Sequence, residues 1–136
     1  MRDINDSRTI QEALAVGNRI AIVGLSPKED RDSHKVAKYL LHHGYEIVPV
    51  RPKADEILGR KVYERLSDIE GEVDVVDLFL NPERVLPVVE EAISIGAKIL
   101  WMQLGVVNEE AAQMARDAGL HVVMDRCIKI EHERDV

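Results

Sequence analysis

The residues in this chain best placed to do chemistry are suited to holding an anion. Gly24-Leu25-Ser26 follows the β-branched run Ile20 to Val23, and Ser26, Arg31 and Ser33 add side-chain donors within a few positions. A glycine at a strand end lets the backbone approach a diphosphate, while the next helix aims its free N–H groups at the same point. The alternative is a plain turn at Gly24 and a solvated charge at Arg31; the clustering of donors at one strand end favours the anion site. The loop is not a dinucleotide fingerprint, because it continues through Ser26, Pro27 and Lys28 without the second and third glycines. Arg51 and Lys53 flank Pro52 at the end of the next β-branched run. Enzymes that use NAD place an Asp or Glu there for the ribose hydroxyls, whereas a cationic pair suits a ribose phosphate. Surface solubility is the alternative reading for either cation alone.

Hydrophobic periodicity supplies the elements that must position these groups. Arg8 to Val16 carries Ile10, Ala13 and Leu14 at helical spacing, with Asp6 or Ser7 as an N-cap and Gly17 as a stop. Ile20 to Val23 predicts a first strand, and Val36, Ala37, Leu40 and Leu41 a helix stopping at Gly44. Tyr45 to Val50 predicts a second strand, followed by a loop through Leu58-Gly59. Val73 to Leu80 is the third strand, and Pro82 opens a helix with Val85, Leu86, Val89, Ala92 and Ile93 on one face. Ile99 to Met102 is the fourth strand. Asn108 caps a helix carrying Ala111, Ala112, Met114 and Ala115, and Gly119 ends it before a fifth strand, His121 to Met124. The tail from Asp125 is charged.

This alternation predicts an α/β fold, a Rossmann-like doubly wound, five-stranded parallel sheet in the order 3-2-1-4-5 with helices on both faces. Such sheets bind ligands beyond the carboxyl ends of their strands, at the point where strand order reverses. Positions 24–33, 51–53, 80–84 and 103–108 are therefore the loops of interest. No repeat, low-complexity tract or linker divides the sequence, so residues 1–136 are expected to form one domain.

A domain of this length buries a core without metal or disulfide support. The single cysteine, Cys127, excludes an internal disulfide framework, and no metal site is expected. No stretch approaches the roughly 20 apolar residues of a membrane span, and the polar start of the chain lacks a secretory apolar segment. A cytoplasmic protein without a membrane partner is expected. The net charge of −7 argues against general affinity for nucleic acid. That charge is uneven: residues 28–61 hold eight basic and six acidic residues, a balance of +2 against −9 elsewhere. An anion is steered to this segment. Coenzyme A, whose ribose 3′-phosphate and diphosphate carry about four negative charges, is a fitting complement, and NADP presents a similar corner.

Several ordered motifs make the sequence recognisable. They are Val23-Gly24-Leu25-Ser26-Pro27 with Arg31 and Ser33, Gly44 to Val50, Gly59 to Tyr63, Trp101 to Val106, and Met124-Asp125-Arg126-Cys127. Together, across about residues 7–132, the chain resembles the stand-alone CoA-binding protein family. The Rossmann-like CoA-binding domain of that family is similar to the one in the succinyl-CoA synthetase α subunit and in ADP-forming acetyl-CoA synthetases. The resemblance implies that Gly24, Leu25, Ser26 and Pro27, with Arg31 and Ser33, hold the diphosphate. It implies that Pro52 and Lys53, beside Arg51, meet the adenosine and its 3′-phosphate. Asn81 to Arg84 would border the adenine, and the loop of Gln103, Leu104 and Gly105 would lie along the pantetheine arm. Two positions depart from the family pattern: Arg51 stands in place of an asparagine and Asp32 in place of a proline.

Candidates for catalysis are weaker. His34, His42 and His43 lie on the helix after the loop, with His34 assigned to its surface, and neither His121 nor His132 pairs with a nucleophile. Asp74 and Asp77 are an odd number of positions apart on one strand and so point to opposite faces, which disfavours an acid/base pair. Cys127 reads first as an inert thiol and second as a partner for a mixed disulfide with CoA. The resulting expectation is a protein that binds CoA or an acyl-CoA without catalysis, as a carrier, sensor or regulatory module. The alternatives are an NADP-binding oxidoreductase and the CoA-binding subunit of a split acyl-CoA synthetase. Apolar residues on the Trp101 to Val107 edge offer a surface for a homodimer.

Overall fold

The structure, a computed structural model, describes residues 7–16 and 18–135. Asp6 and Gly17, the expected cap and stop of the first helix, lie outside the described residues, as do the side chains of Ser7 and Ala13. Helix α1 (Ser7–Val16) leads into β1 (Arg19–Val23), and α2 (Asp32–His42) connects it to β2 (Glu46–Val50). A hairpin, β3 (Glu56–Ile57) and β4 (Arg60–Lys61), precedes β5 (Val75–Leu78). Helix α3 (Val85–Ser94), β6 (Ile99–Met102), α4 (Glu109–Asp117), β7 (His121–Met124) and α5 (Ile128–Asp135) complete the order.

Five strands form a parallel sheet, and alternating side chains along them feed two cores. Ala21, Val23, Val76, Leu78, Leu100 and Met102 face α3 and α4, whose contribution includes Val85, Val89, Ala111 and Ala115. Ile20, Ile22, Val75, Ile99 and Trp101 face the other way, toward Leu14 of α1, Val36 and Leu40 of α2 and Ile128 of α5. Asn108 caps α4 as expected, its Oδ1 accepting from the Ala111 N–H at 2.9 Å.

The doubly wound α/β class is as expected, but the strand order is not. The observed order is β2-β1-β5-β6-β7, so the third long strand pairs with β1 and not with β2. Pro49 supplies the physical reason. Its carbonyl accepts from Tyr63 on the outer edge of β2, while the neighbouring Val50 carbonyl faces β1 and accepts from Gly24. The missing proline N–H therefore points to the outer edge, where a further ladder strand would need it, and β2 becomes an edge strand. That edge is covered by the hairpin and by a bridge between Val50 and Tyr63, elements that the expected loop through Leu58-Gly59 did not include. The charged tail is also ordered, as α5. The reversal of direction now falls between β1 and β5, which lie side by side at the middle of the cleft.

Candidate functional site

Beyond the carboxyl ends of β1, β5 and β6 lie two neighbouring chambers that share Asp32 and Phe79 as walls. The first, about 520 Å³, gathers Gly24, Ser26, Pro27, Arg31, Ser33 and Arg51, which the sequence had nominated from two separate loops. Lys28 joins them, so three cations face one carboxylate, that of Asp32. The second, about 340 Å³, is lined by Val36, Gln103, Leu104, Cys127 and Ile130, with Lys35 and Lys129 at its margin.

The loop after β1 is shaped by its own hydroxyls. The Ser26 N–H donates to Ser33 Oγ at 2.9 Å, and the Lys28 N–H donates to Ser26 Oγ at 3.1 Å. Each hydroxyl thus spends an acceptor position on the loop and keeps its own hydrogen to donate. His34 is buried, not on the helix surface as expected, and its Nδ1 lies 2.9 Å from the Ser26 carbonyl, fixing the loop from beneath. Helix α2 begins at this point with no side-chain cap on its first turn, the arrangement in which helix N–H groups are directed to an anion.

Arg51 reaches across from β2. Its Nη1 donates to the Leu25 carbonyl at 3.5 Å and its Nε to the Pro52 carbonyl at 3.2 Å, so the guanidinium spans the space between the two loops. Pro52 and Lys53 are exposed beside the first chamber without lining it. Lys53 has φ of 58°, a left-handed conformation costly for a residue with a side chain and commoner at functional sites.

Other nominated residues sit elsewhere. Leu25 is wholly buried in the core between the sheet and α2, so only its backbone can meet a ligand. Asn81 and Arg84 are exposed and line neither chamber, and Asn81 Oδ1 accepts from the Glu83 N–H as the cap of a short 3-10 turn. Gly105 also lies outside the lining; its N–H donates to Asp125 Oδ1 at 2.7 Å, tying the loop after β6 to the end of β7. Trp101 and Met102 are fully buried, leaving Leu104 and Val107 as the exposed apolar residues of the proposed dimer edge.

Sequence reasoning passed over Phe79, the wall common to both chambers. Its position, directly after the strand next to β1, was the available signal. It also passed over the depth of Asp77, which is completely buried with neither carboxylate oxygen hydrogen-bonded. Burial pushes this carboxyl well above the usual range. Asp74, just before β5, accepts instead from the Arg19 N–H at 2.9 Å and lies 3.4 Å from Lys98 Nζ. A larger cavity of about 600 Å³ lies at the amino ends of β6 and β7, near Lys98 and His121. It contains none of the nominated residues, and sheets of this class bind ligands at the opposite end. Among the described residues no group of three or more His, Cys, Asp or Glu could hold a metal ion, and no helix is long and apolar enough to cross a membrane.

A family model described as a CoA binding domain matches residues 18–133. The uncharacterized protein YneT of Bacillus subtilis is 46% identical over 123 residues, covering 90% of this chain and 91% of that protein. The α subunit of an ADP-forming acetate–CoA ligase from Pyrococcus furiosus is 30% identical over 128 residues, covering 82% of this chain. The match takes in only 28% of that subunit. A solved structure of a hypothetical protein from Pyrococcus horikoshii superposes with a TM-score of 0.92 at 46% identity, covering 98% of this chain and 96% of the other. With a family match that spans most of its length, this chain belongs to the CoA-binding domain family.

Proposed function

We propose that this chain binds coenzyme A or an acyl-CoA across the two chambers, without catalysis of its own, as a single-domain carrier, sensor or regulatory module. The carrying observation is the cationic first chamber, where Lys28, Arg31 and Arg51 surround the uncapped start of α2. A diphosphate there would receive helix N–H groups and charge-assisted bonds together. Lys53 would meet the 3′-phosphate beside it, and the arm would pass Phe79 into the second chamber, where apolar Val36 and Leu104 suit its methylene groups. Calorimetric titration with CoA, dephospho-CoA and NADP at fixed salt tests this. Equimolar CoA binding that weakens about tenfold in dephospho-CoA, a loss of about 1.4 kcal/mol, is the expected result. NADP binding without CoA binding would replace it with a dinucleotide reading.

A second reading is supported by the relation to the ligase α subunit, of which this chain matches 28%. In it, the chain supplies the CoA site of an acyl-CoA synthetase assembled from separate chains. Co-purification with an ATP-binding ligase chain would favour that reading; CoA binding by a chain that purifies alone would favour the first.

A further inference from the structure

We infer that His34 is a positioning residue for the first chamber: it holds the Ser26 carbonyl oxygen away from the ligand, so that this part of the loop meets an anion with donors. The inference rests on the CoA-binding reading and concerns the diphosphate. His34 is 7% exposed and lines neither chamber, so it acts through Ser26, which does line the first. Its Nδ1 lies 2.9 Å from the Ser26 carbonyl oxygen. A carbonyl oxygen only accepts, so Nδ1 is the ring nitrogen that carries the hydrogen.

The need for such a hold follows from Pro27. Proline has no N–H, so the peptide between Ser26 and Pro27 offers a ligand nothing but an oxygen. Facing the chamber, that oxygen would oppose a diphosphate; buried without a donor, it would destabilise the loop. His34 removes both problems with one bond. Neighbouring carbonyls are turned to donors in the same way: that of Leu25 accepts from Arg51 Nη1 at 3.5 Å and that of Lys28 from the Arg31 N–H at 3.1 Å. The carbonyls of Leu25, Ser26 and Lys28 are thus occupied, while Lys28, Arg31 and Arg51 bring positive charge to the same chamber.

The residue before His34 completes the grip. Ser33 is 5% exposed, and its Oγ accepts from the Ser26 N–H at 2.9 Å. Consecutive residues of α2 therefore fix both backbone groups of Ser26, and the Lys28 N–H on Ser26 Oγ at 3.1 Å fixes its side chain. The Ser26 hydroxyl hydrogen is left to donate, from a residue already ordered when the anion arrives.

The test titrates the full chain and its His34 variants with CoA and with inorganic pyrophosphate, by calorimetry at fixed salt. His34→Leu fills the buried space without a donor, and binding of both ligands about tenfold weaker is expected from the freed carbonyl oxygen. His34→Asn offers an amide N–H in place of Nδ1–H and should bind both within about threefold of wild type. Lost packing alone predicts the opposite ranking, since Leu suits a buried site better than Asn. Wild-type affinity in His34→Leu, or an equal loss in both variants, overturns the inference. Should His34→Leu not fold, nitrogen NMR of the wild-type imidazole decides: hydrogen on Nδ1 with and without CoA supports the hold, and a ring protonated only at Nε2 in the CoA complex overturns it. If pyrophosphate binds in the expected ranking and CoA does not bind, the CoA reading falls and the role of His34 stands. If wild type binds neither, both fall.

Discussion

Gly24 has φ of 86°, and a Cβ placed on it would lie 2.2 Å from the Phe79 carbonyl oxygen. The glycine is therefore required by the close passage of β1 past the end of β5, before any ligand arrives. Gly24→Ala should destabilise the protein by about 2–4 kcal/mol in urea unfolding, through combined clash and left-handed strain. A change below about 0.5 kcal/mol would mean that the strand end relaxes. Arg31 acts in the other direction, since it is exposed and lies on the first chamber. Arg31→Ala should leave unfolding unchanged and weaken CoA binding by about 1.5–3 kcal/mol if its charge-assisted bonds to the diphosphate form. Unchanged affinity would remove Arg31 from the site. His34 shows why residue type alone misleads at this scale: its helix is amphipathic, and which side of that stripe a histidine joins depends on the loop folded over it.

Among the elements, α4 owes its start to Asn108, whose Oδ1 caps the helix while its Nδ2 donates to the Pro82 carbonyl at 3.0 Å. Asn108→Ala loses both bonds at once, and a cost of about 1–2 kcal/mol in chemical unfolding is expected, at the upper end for a lost cap. A cost near zero would show that the loop rearranges. Element types and most boundaries were legible because strands buried on both faces appear as unbroken apolar runs and helices end on glycine. The hairpin of β3 and β4 was hidden because two-residue strands carry no usable period. Helix α5 was hidden for a related reason: its residues are mostly charged, and among its described side chains Ile128 alone gives it a fully buried anchor. Pro49 was a readable sign that β2 lies at an edge.

Across the whole molecule, Asp77 links stability to pH. It lies between Ile22 and Trp101 in the sheet register, inside the layer below Gly24, Phe79 and Gln103. Burial favours its neutral form, so its folded pKa exceeds its unfolded one. The stability contribution of the neutral form is then fully present below about pH 4, the unfolded value, and is lost as pH rises toward the folded pKa. Within that window wild type should lose stability relative to Asp77→Asn by about 1.4 kcal/mol per pH unit, measured by urea unfolding at a series of pH values from about 4 upward. A constant difference between the two proteins would show that Asp77 is not held neutral.

Local pattern, by itself, determined the α/β class and the parallel sheet with its two cores, and nominated the loop at the end of β1 for an anion, because periodicity, capping and glycine placement act over a few residues. It also nominated Arg51 and Lys53 as a cationic corner from their place after a strand. Only the tertiary structure decided which strands are neighbours, since pairing across many residues depends on which edges keep their donors. That decision brings Arg51 across to Leu25, makes Phe79 the wall between two chambers, and sends Asn81 and Arg84 outside both. It also places Cys127 beside Gln103, two residues 24 positions apart that β6 and β7 deliver to one cavity because those strands lie in parallel register.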